Sequence, residues 1–98
     1  MAQIINEQDV INAICLSQAY HNQTTPEQVL VELTYDDESG TEIFGAEVEI
    51  NGNKIMLDTA DIIGALRSWV KEVLKGDPFG SIIELILDDE EGIIAKVS

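Results

Sequence analysis

At Val29 the spacing of apolar residues changes from three-and-four to two, so this chain must join an amphipathic helix to a half-buried sheet. Upstream, Val10, Ile11, Ile14 and Cys15 recur at helical spacing within residues 6–20. Asn6 suits the N-cap, and Glu7 and Asp9 fall where the positive end of the helix dipole favours acids. The helix is expected to stop near His21-Asn22. Pro26 disfavours helical geometry at Thr25, which leaves Pro26-Glu27-Gln28 for a short helical turn.

Downstream, Val29, Val31, Leu33 and Tyr35 share one face of a strand, and Leu30, Glu32 and Thr34 share the other. Beyond the polar connection Asp36-Asp37-Glu38-Ser39-Gly40, Phe44, Ala46, Val48 and Ile50 alternate with Gly45, Glu47 and Glu49. Asn51-Gly52, whose residues both accept positive φ, predicts a tight hairpin into a third strand over 54–57. Asp58 or Thr59 can then cap a second helix, with Asp61 in its first turn. Ile62, Ile63, Leu66, Trp69, Val70, Val73 and Leu74 give that helix a broad apolar face. Gly76 sits where a left-handed C-terminal cap belongs, and Asp77-Pro78-Phe79-Gly80 reads as the exit turn. Residues 81–87 and 93–97 read as two further strands joined across Asp88-Asp89-Glu90-Glu91-Gly92.

The order α-β-β-β-α-β-β predicts an α+β fold: a two-layer sandwich with two helices on one face of a mostly antiparallel five-stranded sheet. At 98 residues, 45% of them apolar, the chain suffices for one core, and a single domain over 1–98 is expected. The one cysteine, Cys15, precludes an intrachain disulfide and fits a reducing cytoplasm. No stretch approaches the roughly 18 to 20 apolar residues of a membrane span, and no signal-peptide pattern opens the sequence, so no membrane association is expected. Nineteen acidic groups against five basic ones, a net charge of −14, repel phosphate backbones and disfavour nucleic acid as a direct partner.

Chemical motifs are sparse. Aligning Gly40 with the glycine of a calcium-binding loop puts Tyr35 and Ala46 at the outer ligand positions, and Asp88 to Gly92 fails in the same way. His21 is the only histidine, so a zinc site lacks its usual spacing, and no metal or other cofactor is expected. Cys15 and His21 stand six residues apart on one helix, which points them away from each other, so Cys15 reads as a packed core residue. None of the serines lies in a Gly-x-Ser-x-Gly elbow, and the glycines form no phosphate-binding loop, so no catalytic residue is assigned.

Two surface features carry more weight. Arg67, Lys71 and Lys75 are spaced by four, making a basic stripe on the second helix that could serve an anion or a partner, or simply favour the helix C-terminus. The sheet face away from the helices would carry Glu32, Glu47, Glu49 and Glu84, but also Leu30, Met56, Ile82, Ile86 and Ile94. An apolar patch rimmed by charge marks association, and these five residues are the candidate homodimer interface.

Ile4-Ile5-Asn6-Glu7-Gln8-Asp9-Val10-Ile11-Asn12-Ala13-Ile14-Cys15 and Pro26-Glu27-Gln28-Val29-Leu30-Val31-Glu32-Leu33 resemble the YxcD-like family of small uncharacterised bacterial proteins, over a stretch running through Val48. The resemblance implies a bacterial cytoplasmic protein and assigns neither an activity nor site residues. The function expected is a non-enzymatic interaction module that homodimerises through its sheet, with a further protein partner left open. Two alternatives are an acidic mimic of nucleic acid that occupies a basic protein, and a small-ligand site at a dimer seam. An enzyme or ligand binder built from Tyr20, His21, Asp36 and Trp69 would require a deep pocket lined by those groups.

Overall fold

The computed structural model describes residues 3–36, 43–73, 80 and 82–98. The chain opens with a short strand, β1 (Gln3–Ile5), and turns directly into helix α1 (Glu7–His21). Asn6 caps the helix as its sequence position requires, its side-chain oxygen accepting the Asp9 N–H at 2.8 Å. Ile5 and Val10 occupy the two positions of a hydrophobic staple around this cap, and both are buried. At the far end Gln23 takes a left-handed conformation, φ 53°. The Gln23 N–H donates to the Tyr20 carbonyl and the Thr24 N–H to the Ala19 carbonyl, which closes the helix in a Schellman motif without glycine.

A 3₁₀ turn (Pro26–Gln28) leads into β2 (Val29–Asp36), β3 (Ile43–Ile50) and β4 (Asn53–Leu57), an antiparallel meander. Its register pairs Val31 with Val48 and Val48 with Ile55, so the alternation read from the sequence lines up across all three strands. Asn51 and Gly52 have φ of 53° and 83°, as a two-residue hairpin of primed type requires. Helix α2 (Thr59–Glu72) starts in a full capping box: the Asp61 N–H donates to the Asp58 carboxylate at 2.9 Å, and the Asp58 N–H donates to the Asp61 carboxylate at 3.2 Å. The Thr59 hydroxyl donates to the Phe44 carbonyl at 2.9 Å and fixes the helix start against β3. Strands β5 (Ile83–Asp88) and β6 (Gly92–Val97) form the last hairpin. The expected cap at Gly76 and exit turn over 77–79 lie outside the described residues, as does the acidic connection over 37–42.

The α+β class holds, but among the described residues the single five-stranded sheet is corrected to two three-stranded antiparallel sheets, β1-β6-β5 and β2-β3-β4, and the order becomes β-α-β-β-β-α-β-β. The reason lies in β6. Its two edges are taken by β1, which pairs Ile5 with Ala95, and by β5, which pairs Leu85 with Ala95, so the last hairpin does not extend the meander through β6. Both helices bridge the sheets, α1 packing on β2 and β6, and α2 on β3, β4 and β5. Val10, Ile14, Val48, Ile62, Leu66 and Val70 are fully enclosed between the layers. Each such side chain contributes about 1.5–3 kcal/mol of burial. No helix among the described residues is long and apolar enough to cross a membrane.

Candidate functional site

Where α1 and α2 run together, small residues leave a gap. Buried Ala13 and Ala65 lie at the bottom of a groove of about 580 Å³ between the helices. Leu16 and Tyr20 of α1, with Trp69 and Val73 of the α2 side, supply its apolar walls. Ser17, Ser68, His21 and Glu72 add polar groups. The helical period explains the set, because residues 13, 16, 17 and 20 share one face of α1, and 65, 68, 69 and 72 share one face of α2. The closure at Gln23 holds the last turn of α1, where the Tyr20 and His21 rings meet edge-on with centroids 5.9 Å apart.

Of the four residues considered for a ligand site, the groove therefore unites Tyr20, His21 and Trp69. Asp36 stands apart, at the end of β2 beside a separate shallow depression shared with Met56 and Asp58. Sequence reasoning passed over Ala13, Ser17, Ala65 and Ser68. Their signal was available: small residues at positions 13, 17, 65 and 68 fall beside the apolar faces of both helices, and opposed small residues keep a groove open.

The five candidate interface residues divide between the two sheets. Leu30, Met56 and Ile82 are 62%, 64% and 70% exposed, Ile86 is half-buried, and Ile94, opposite Ile86 on the central strand, is only 8% exposed. In the meander, Leu30 aligns with Glu49 and Lys54, while Met56 aligns with Glu47 and Glu32, so charged residues separate the two apolar side chains. Exposed Ile4 and Ile43 are further apolar members of these outer faces that sequence reasoning did not pick out. The Lys54 ammonium lies 3.2 Å from the Glu47 carboxylate, and this hydrogen bond and charge, helped by Glu49 and Glu32, push the lysine pKa up.

On the basic stripe, Arg67 is half-buried and Lys71 exposed, while Lys75 is outside the described residues. Neither Arg67 nor Lys71 is among the residues that line the groove. Cys15 is half-buried against the core, with its Sγ 3.7 Å from the Val29 carbonyl, and burial pushes its thiol pKa up. At the last hairpin tip, Asp88 accepts the N–H groups of Glu90 and Glu91, each at 2.9 Å, in the manner of a side chain stabilising its own turn. Among the described residues no three His, Cys, Asp or Glu side chains converge closely enough to hold a metal ion.

Fold and groove together define a small two-layer α+β protein with two helices laid across paired antiparallel sheets. The chain belongs to the family described as "Protein of unknown function (DUF2653)", which it matches over residues 1–90. It is similar to the uncharacterized protein YxcD of Bacillus subtilis (strain 168), at 30% identity over 98 residues, covering 99% of this chain and 93% of that protein. The resemblance seen through Val48 thus extends across α2 and into the last hairpin. No solved structure matches.

Proposed function

We propose that the protein is a non-enzymatic interaction module of the bacterial cytoplasm that pairs with a second copy through the outer faces of its sheets. The observation that carries this reading is the outward exposure of Leu30, Met56 and Ile82, with Ile4 and Ile43, on the sheet faces that the helices leave open. Large apolar side chains exposed on open sheet faces favour association. Charge supports the same face. Two of the five cations, Lys54 and Lys96, stand there among Glu32, Glu47, Glu49 and Glu84, so a two-fold related copy can set lysines against carboxylates. Elsewhere Asp58 and Asp61 are spent in a helix cap and Asp88 in a turn, an arrangement unlike the even array that a mimic of nucleic acid needs.

The test is the solution mass by light scattering at tens of micromolar protein, repeated across a salt series. A dimer is expected, strengthened by moderate salt because screening relieves repulsion between two copies of charge −14. Leu30→Glu and Met56→Glu, on exposed positions, are expected to give folded monomers. A wild-type protein that stays monomeric throughout overturns the reading.

A further inference from the structure

The groove between the helices lies on the opposite layer from the association surface, and its chemistry is more selective than its apolar walls suggest. Among the described residues, Glu72 is the one group of fixed formal charge lining it, and neither a lysine nor an arginine reaches the lining set. The cations of α2, Arg67 and Lys71, are not among the side chains that line the groove. Tyr20 and Trp69 add two aromatic side chains, whose faces attract cations. The whole chain, at −14, repels organic anions and draws organic cations towards it. The groove encloses about 580 Å³, room enough for a small organic molecule.

We infer that this groove binds a small organic cation, one with an aromatic or alkyl body seated between Leu16, Trp69 and Val73 and an ammonium or guanidinium head placed against Glu72 and the ring of Tyr20. The apolar body is recognised by burial over Ala13 and Ala65, and the head by charge. An equally apolar carboxylate is disfavoured, because it would bring a second negative charge to Glu72 with neither lysine nor arginine among the described lining residues to receive it. The inference does not depend on self-association through the sheets.

Trp69 is the only tryptophan, so its emission reports on the groove directly. The experiment titrates the purified full chain with 2-phenylethylamine and, separately, with 3-phenylpropanoate, at constant ionic strength. The amine is expected to give a saturable change in Trp69 emission at millimolar concentrations, as suits a small ligand, and the carboxylate is expected to give none. Glu72→Gln, at an exposed position, is expected to weaken the amine about fivefold, the size of one charge contact at a protein surface. Glu27→Gln, which removes an exposed carboxylate that does not line the groove, is expected to leave the binding unchanged and so separates the site from general attraction to an acidic protein. Equal responses to amine and carboxylate, equal effects of the two substitutions, or no saturable response to the amine would each overturn the inference.

Discussion

The carboxylate of Glu7, at the start of α1, accepts the backbone N–H of Ile93 in β6 at 2.8 Å and so joins positions 86 residues apart. The same carboxylate closes over Gly92, whose φ is 80° and whose missing Cβ would collide with it. Glu7→Ala is therefore expected to destabilise the protein by about 1–2 kcal/mol, as a charge-assisted bond to a half-buried N–H is lost. Gly92→Ala combines a left-handed backbone with that collision and should cost about 1–3 kcal/mol. In urea unfolding the double variant should lose less than the two single losses added, because removing the carboxylate relieves the steric part and leaves only the backbone part.

Gln23 closes α1 in a conformation that glycine adopts without penalty. Gln23→Gly is expected to raise stability by up to about 1 kcal/mol, since the relief of left-handed strain exceeds the extra freedom glycine has when unfolded. For a domain of this size that is a rise of about 4–8 °C in Tm. A fall in Tm by calorimetry would show that Gln23 makes stabilising contacts beyond the closure.

Asp88 links the last hairpin to pH. The N–H groups of Glu91 and Glu90 hold its carboxyl below the ordinary value of 3.8. A depressed folded pKa means that the stabilisation is present above the unfolded value and is lost as pH falls through the folded one. Wild type is therefore expected to exceed Asp88→Ala in Tm by a constant margin near neutrality, and the margin should shrink below pH of about 4. A margin independent of pH would mean that the charge of Asp88 does not hold the turn.

Cys15 is expected to react with a thiol-specific disulfide reagent more slowly than a small free thiol at pH 8, because desolvation by burial raises its pKa and shields the sulfur. A rate matching the free thiol would show that the contact of α1 with β2 opens readily.

Both helix starts were legible in the amino-acid sequence, because a cap is a local arrangement: Asn6 with Asp9, and Asp58 with Asp61, need only their own neighbours. The same holds for Asn51-Gly52 and for the inward sides of β2 and β3. β1 was not legible, since Gln3 to Ile5 is too short to display alternation, and its pairing partner stands at the other end of the chain. The division into two sheets escaped for a related reason: alternation states which face a residue takes, not which strand lies beside it. It also placed Ile94 on the outer face, yet its seat on the central strand opposite Ile86 leaves it buried. Part of the groove was visible as Tyr20, His21 and Trp69. The floor was not, because Ala13 and Ala65 meet only through the packing of two distant helices.

β6 is the last of the elements in chain order, yet it is the central strand of its sheet, bonded to β1 on one side and β5 on the other. During synthesis, β1 and β5 must both wait for it. Ile5 leaves the ribosome long before Ala95, the residue it pairs with. Half of the sheet layer under α1 is thus assembled only after translation of this region is complete, and a nascent chain stalled before β6 would present that helix's apolar side to chaperones.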